Sequence, residues 1–410
     1  AGDKAKEVLY ASAVAGNKNT LKRAQGELDG LRRSDAVRVR REDETAMLAW
    51  LAKQPDAATL QADIRAMQAQ LDAGQATRER DFLLPFLRPG LLGSAITLRR
   101  LAMERGKPDA QRESGFQQRD EVLIEGGLKQ LQRRYDPEVE KATLRYALKR
   151  YYALPASQRL NEFDAAFGAN ETIASAKLDS LYAQTKLGVE ADRLALMKAS
   201  PDAVLASTDP LMQLAAALQP ALLRLEEEGK QRSGELMRLR PAYMQALIGY
   251  RESQGRAVYP DANSTLRVSY GKVSPLSPRD GLDYRPLTTV AGIVEKNTGV
   301  EPFDAPKPLL DAIAAGDFGS TIDPTLKTQT VDFMTNLDTT GGNSGSPVLD
   351  ANGKLIGLNF DSNWEAVSAS WMFDPRYKRA IHVDMRYLRW LLAKVYPAPH
   401  LLKEMNLPAE

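Results

Sequence analysis

One run of small residues, 339–348 with the sequence TTGGNSGSPV, has the composition of a loop that can carry a nucleophile. Its glycines let the backbone turn tightly and approach a bound substrate closely. Ser344 stands between Asn343 and Gly345. Its hydroxyl could attack a carbonyl while the amides of Gly342 and Ser344 stabilise the resulting oxyanion. A simple Gly/Ser turn between two strands is the alternative for such a run.

The residues that follow predict the β-hairpin that such a loop needs. Residues 346–349 and 354–360 have strand composition, and Asp-Ala-Asn-Gly between them is a tight turn. The combination favours a nucleophile over a plain turn and resembles the nucleophile loop of chymotrypsin-like serine peptidases. The nucleophile elbow of α/β-hydrolases is excluded, because position 346 is Ser where that motif requires Gly and a strand follows instead of a helix.

The catalytic base is the missing part of this chemistry, since a serine hydroxyl is a poor nucleophile without one. The chain contains two histidines, His382 in a predicted strand and His400 in a proline-rich turn. Both follow Ser344, whereas the base and its carboxylate precede the serine in chymotrypsin-like peptidases. We interpret both as packed or surface histidines. A Ser–Lys dyad, in which a lysine acts as the base, stays possible. Lys327 and Lys354 are nearby in sequence, but no spacing identifies either as that lysine.

We therefore expect that the chain lacks the first barrel of such a peptidase and is inactive alone. The sequence begins without an initiator Met or a signal peptide, which we interpret as a start within a longer protein or after processing.

The elements that must position the loop fall into two regions. Residues 1 to about 255 have apolar side chains at helical spacing, and prolines after Asp136, Ser200 and Asp209 predict capped helix starts. From residue 258 the pattern becomes alternating, which predicts strands at 264–270, 287–295, 331–336, 346–360 (a hairpin) and 379–384, then a helix at 385–395. The predicted fold class is α+β, with an all-helical domain (1–258) followed by a chymotrypsin-like antiparallel β-barrel domain (259–410).

Composition excludes several classes of partner. The chain has 55 basic and 53 acidic residues, a net charge of +2, which gives no sign of a nucleic-acid or anionic-membrane partner. No apolar run approaches the ~18 residues of a membrane span. Cysteine is absent, so disulfides and thiolate metal sites are excluded. We expect neither a cofactor nor a metal.

Five segments in this order resemble the bacterial dipeptidyl peptidases of the 7 and 11 types: 19–26 (NTLKRAQG), 259–267 (YPDANSTLR), 340–348 (TGGNSGSPV), 360–365 (FDSNWE) and 383–387 (VDMRY). The resemblance covers essentially the whole chain. It implies a chymotrypsin-like double barrel with a helical domain inserted between the barrel halves. It also implies release of dipeptides from free peptide N-termini, a periplasmic or cell-surface location in Gram-negative bacteria, and a homodimer.

The resemblance also implies roles for single residues. Ser344 matches the nucleophile, and Asn19 and Asp361 match positions that hold the substrate's α-ammonium group. Ser362 matches the selectivity position of the pocket for the second substrate residue. Members that prefer apolar residues there carry Gly, and those that prefer Asp or Glu carry Arg or, in some, Ser. Ser362 therefore favours an acidic residue at the second substrate position. A hydroxyl brings no charge, which leaves this preference without a strong chemical reason.

Two other functions stay open from the sequence. One is a non-catalytic helical binding module on a β scaffold, which would not react at Ser344. The other is a trypsin-like endopeptidase, which would cleave N-terminally blocked peptides.

Overall fold

Helices form the first region of the chain, as the sequence predicts. The structure is a computed structural model that describes residues 3–260 and 262–407, so Asp261 of the segment 259–267 lies outside the described residues. The helices of this region are α1 (Lys4–Arg33), α2 (Ala36–Leu51), α3 (Ala57–Gln75), α4 (Arg78–Leu83), α5 (Gly90–Arg105), α6 (Glu121–Leu131), α7 (Pro137–Tyr152), α8 (Asn161–Phe167), α9 (Glu171–Gln184), α10 (Glu190–Lys198), α11 (Pro201–Leu205) and α12 (Pro210–Ser253). Among the described residues, no helix has both the length and the apolarity to cross a membrane.

The three predicted helix starts are confirmed by their caps. The carboxylate of Asp136 accepts the amides of Glu138 and Val139 at the start of α7. Ser200 and Asp209 cap α11 and α12 in the same way. In each helix the proline occupies the first turn, where its missing N–H costs nothing and its φ is already helical.

Leucines at helical spacing build the core of the helical region. Leu144 and Leu148 of α7 and Leu211, Leu214 and Leu218 of α12 are buried, as their spacing predicts. The helix α12 continues through two internal prolines over 44 residues. Its buried residues lie in two parts, within 211–221 and within 239–246, so packing fixes the helix on both sides of its polar middle.

The chain divides into two compact units. One comprises Ala1–Tyr10 with Ala46–Val258, and the other comprises Ala11–Thr45 with Tyr259–Glu410. These units do not coincide with the predicted domains 1–258 and 259–410, because residues 11–45 belong to the unit that contains the strands. The division at residue 258 stays a prediction.

Antiparallel sheets follow the helical region. The strands are β1 (Leu276–Arg279), β2 (Leu282–Tyr284), β3 (Leu287–Thr289), β4 (Thr330–Thr335), β5 (Pro347–Leu349), β6 (Leu355–Ser362) and β7 (Ala380–Asp384). β1 and β2 form a hairpin, and the others form one sheet in the order β3-β4-β7-β6-β5, with every neighbouring pair antiparallel. Within the described residues this sheet is open, with β3 and β5 at its edges, and does not close into the predicted barrel.

Two predicted strands are wrong. Residues 264–270 form no strand, and Leu266 and Tyr270 are each 93% exposed, because no neighbouring strand of the described chain covers their apolar side. The predicted strand 287–295 ends at Thr289 and continues as helix α13 (Val290–Lys296). The spacing of Val290 and Ile293 suits a helix, which packs both side chains with Trp390.

The C-terminal helix is confirmed and anchors the sheet. It runs as α15 (Met385–Trp390) and a π-helical turn (Leu391–Val395), preceded by α14 (Lys307–Ala315) and followed by α16 (Pro399–Glu404). The carboxylate of Asp384 caps α15 and pairs with Arg386. Trp390 is fully buried and donates its indole N–H to the carbonyl of Asp317 at 3.0 Å.

Candidate active site

Ser344 lies in an exposed turn that leads into the hairpin β5–β6, where the sequence predicts it. Gly342 has φ +99° and Gly345 has φ +82°. Both values fall in the region that favours glycine, so the two glycines allow the turn on either side of the serine. The hairpin therefore presents the Ser344 hydroxyl to solvent, outside any helix or buried core.

Some backbone amides of this turn donate hydrogen bonds within the protein and others do not. The amide of Gly345 donates to the carbonyl of Asn359 at 2.7 Å, and the amide of Ser346 donates to the carbonyl of Asn343 at 3.0 Å. Among the described residues, the amides of Gly342 and Ser344 donate to no acceptor. These two N–H groups are free to bind an anion, and they are the pair that the sequence singles out.

Asn343 holds the turn in shape. Its side-chain oxygen accepts the amide of Thr340 at 3.0 Å, and its own amide donates to the carbonyl of Thr340 at 3.2 Å. This reciprocal pair closes the glycine run without using the amides of Gly342 and Ser344. Asn side chains commonly stabilise tight turns in this way.

The end of β6 brings Asp361 and Ser362 close to this turn. Asn359 of β6 is bonded directly to Gly345 and Ser346, and Asp361 follows two residues later, about 7 Å along a strand. Asp361 is exposed. One of its oxygens accepts the Ser362 amide at 2.7 Å, and within the described chain the other accepts none. A carboxylate oxygen is thus available to a cation near Ser344.

Asn19 lies on the exposed part of α1. Further along the same helix, Gly26 and Gly30 are buried. A Cβ on Gly26 would stand 3.2 Å from Trp364, and one on Gly30 would stand 2.1 Å from the Ser368 hydroxyl. Seven residues are about two helical turns, so Asn19 shares the face of Gly26, about 10 Å nearer the N-terminus. That face contacts the segment directly after Ser362.

The environment of His382 does not suit it to act as a base for Ser344. His382 is fully buried in β7, its Nε2 lies 2.7 Å from the Thr335 hydroxyl, and its ring packs on Phe333. Burial, with the nearby Lys378 charge, lowers the His382 pKa to about 4. His400 is exposed in α16 rather than in the predicted turn.

The structure adds one residue that the sequence analysis missed. Lys378, two residues before β7, is only 2% exposed and donates hydrogen bonds to the hydroxyls of Thr339 and Ser362. Burial lowers its pKa to about 8, and the charges of Asp338 and Asp361 oppose that shift. A Lys-Arg pair before a strand is typical of a solvated surface, so no sequence signal marks this lysine.

Comparison with known proteins identifies the family of the chain. Residues 1–407 match the family Peptidase S46. An Asp/Glu-specific dipeptidyl-peptidase of Shewanella putrefaciens is 38% identical over 424 residues, which cover 98% of this chain and 57% of the relative. A dipeptidyl-peptidase 7 of Porphyromonas endodontalis is 30% identical over 412 residues, which cover 99% of this chain and 48% of the relative.

A solved structure is similar over the same extent. The crystal structure of Porphyromonas endodontalis DPP11 in complex with the dipeptide Arg-Glu superposes with a TM-score of 0.76 at 26% identity, covering 99% of this chain and 57% of that one. The chain thus spans about half the length of the relatives that it matches. The match over residues 1–407 and this level of identity establish that the chain belongs to the peptidase S46 family.

Proposed function

We propose that the chain is part of a serine dipeptidyl peptidase that releases dipeptides from free peptide N-termini. The observation that carries this proposal is the Ser344 turn, whose hydroxyl is exposed and whose amides at 342 and 344 are unused. The Ser344 oxygen attacks the scissile carbonyl, and the two amides bind the oxyanion of the tetrahedral intermediate. The acyl-enzyme is then hydrolysed by water.

A cation site next to the nucleophile is what distinguishes release of dipeptides from internal cleavage. The free oxygen of Asp361 lies near the Ser344 turn, and Asn19 lies on the helix face that contacts the segment after Ser362. A carboxylate with an amide oxygen suits an α-ammonium group. Holding that group at a fixed distance from Ser344 places the second peptide bond at the nucleophile.

Acidic residues are the proposed preference at the second substrate position. Ser362 occupies the selectivity position implied by the resemblance, and the Shewanella relative is named as Asp/Glu-specific. The dipeptide in the related DPP11 complex also ends in Glu. Both observations support the same class of substrate for this protein.

The base and the rest of the barrel are proposed to come from a part of the protein outside these residues. The environment of His382 supports this, because a buried imidazole with a strongly lowered pKa cannot take the serine proton. The open sheet then forms one half of a chymotrypsin-like double barrel. From the resemblance we also propose a homodimer in the periplasm or on the surface of a Gram-negative bacterium.

A fluorophosphonate probe tests the proposal in the full-length protein. We expect labelling of the wild type and none of the Ser344→Ala variant, together with loss of dipeptide release. The matched control is Ser346→Ala, two residues along the same loop, which should remain labelled. An unlabelled wild type would favour the non-catalytic binding module, and cleavage of N-terminally acetylated peptides would favour an endopeptidase.

A further inference from the structure

We propose that Lys378 supplies the positive charge that selects an acidic residue at the second substrate position. Its ammonium orients the Ser362 hydroxyl and, next to that hydroxyl, contacts the substrate carboxylate. The inference rests on the proposed dipeptidyl peptidase function and names the cation that the selectivity position itself lacks. It answers a chemical difficulty, since a lone serine hydroxyl discriminates poorly between Glu and its neutral isostere Gln.

The lysine is held between the two segments that carry the proposed site. Its ammonium donates to Ser362 at the end of β6 and to Thr339, which begins the run that carries Ser344. The same side chain therefore touches both the selectivity position and the nucleophile run. An ammonium has three N–H groups, and these two hydroxyls use two of them.

No carboxylate contacts the Lys378 ammonium directly. Within the described chain it forms no ion pair and its two side-chain partners are neutral hydroxyls, although the charges of Asp338 and Asp361 lie near enough to favour its protonated form. A buried ammonium without a directly paired counter-ion is costly, which is why such groups are normally paired. The arrangement is satisfied when a substrate carboxylate arrives next to Ser362.

Ser362 has a defined part in this arrangement. Its oxygen accepts a hydrogen bond from Lys378, so its own proton is free to donate to the substrate carboxylate. The carboxylate then receives a hydroxyl hydrogen bond and the remaining ammonium N–H. Charge-assisted contacts of this kind are about twice as strong as neutral ones.

The alternative role is structural. Lys378 could simply tie the start of the nucleophile run to the end of β6, in which case its loss would disturb every substrate equally. The two roles differ in one measurable quantity, the ratio of kcat/KM for a substrate with Glu at the second position to that for the same substrate with Gln.

The test uses the full-length protein and two fluorogenic dipeptidyl substrates that differ only as Glu or Gln. We expect Lys378→Met to lower kcat/KM for the Glu substrate by ~10- to 100-fold, the usual weight of a charge-assisted hydrogen bond, and to change the Gln value by less than ~3-fold. The matched control is Thr339→Val, which removes the other partner of Lys378 but keeps the charge and should keep the ratio. Adding Ser362→Arg to Lys378→Met should restore the preference for Glu.

Titration gives a second measure of the same charge. Groups around Lys378 are Asp338, Asp361 and His382, together with Arg33, Glu365, Asp374 and Tyr377 that line the adjoining cavity. In the protein without substrate, Lys378 loses its proton as pH rises through its pKa of about 8. The Glu/Gln ratio of kcat/KM should therefore fall above that pH for the wild type and stay constant for Lys378→Met. Removing a buried charge should also leave the melting temperature of Lys378→Met at or above that of the wild type.

Three results would overturn the inference. An equal fall in kcat/KM for both substrates would show a structural tie, and no change in either kcat/KM would show that Lys378 carries no selectivity. A wild type that releases dipeptides without preferring Glu would refute the inference while leaving the proposed function intact. A wild type that cleaves neither substrate and is not labelled at Ser344 would instead refute the proposed function.

Discussion

Asp361 presents one free carboxylate oxygen close to the turn that carries Ser344. Its other oxygen accepts the Ser362 amide, so replacement by Ala would disturb the pocket as well as remove the charge. Asn keeps the acceptor and removes only the charge, which makes Asp361→Asn the cleaner test.

We expect Asp361→Asn to raise KM for substrates with a free amino group by about 10- to 100-fold, since a hydrogen bond to a charged group contributes about 1.5–3 kcal/mol. Steady-state kinetics with free-amine dipeptidyl substrates measures this. Asp311→Asn is the control, because that exposed carboxylate, within the part of the chain that the structure describes, pairs only with Lys307. An unchanged KM would count against an ammonium clamp at this position.

For single residues, the sequence predicts the features that depend on neighbouring residues but not which side chains are buried. The exposed turn of Ser344 follows from its glycine neighbours and lies where the sequence predicts it, while its role as nucleophile stays a proposal. Lys378 could not be found this way, because its contacts with Thr339 and Ser362 depend on where distant segments pack.

Helix α1 packs closely against the segment after β6, because Gly26 and Gly30 leave room for the side chains of Trp364 and Ser368. At Gly30 an added Cβ would stand 2.1 Å from the hydroxyl oxygen and 2.6 Å from the Cβ of Ser368, which is itself buried. Asn19 lies on the same helix, so the packing at Gly30 should also influence the proposed α-ammonium site.

We expect Gly30→Ala to destabilise the protein by about 1–3 kcal/mol, the usual cost of overpacking, and to raise KM by displacing Asn19. Gly16→Ala is the matched control on the same helix. Nothing lies within 4 Å of Gly16, so alanine there should be neutral or stabilising by up to about 1 kcal/mol. Thermal unfolding and KM measured together check both variants, and equal effects at the two sites would contradict this packing argument.

Among the elements, hairpins and capped helices were predictable because their signals are local. The β5–β6 hairpin follows from its turn residues, and α7 follows from Asp136 and Pro137. The strand prediction for 264–270 failed because alternation alone does not provide a partner strand. The prediction for 287–295 failed because burial against Trp390 favours a helix at Val290.

At the scale of the chain, the proposed nucleophile Ser344 is exposed in its turn, whereas His382 is buried and poorly suited to act as its base. We therefore expect residues 1–410, prepared alone, to release no dipeptide above the background of the Ser344→Ala variant. A fluorogenic assay with the full-length protein as the positive control measures this. Turnover by the isolated residues that disappears with Ser344→Ala would show that the chain supplies its own base.

The open sheet has a practical consequence for work on this protein. Among the described residues, no further strand pairs with the outer side of β3 or β5, and Leu266 and Tyr270 add exposed apolar side chains. Pro347 protects β5, since proline cannot donate to an added strand, but β3 has no such protection. A preparation of residues 1–410 alone is therefore open to strand addition between molecules. Loss of protein to aggregation should be distinguished from loss of catalysis when its activity is measured.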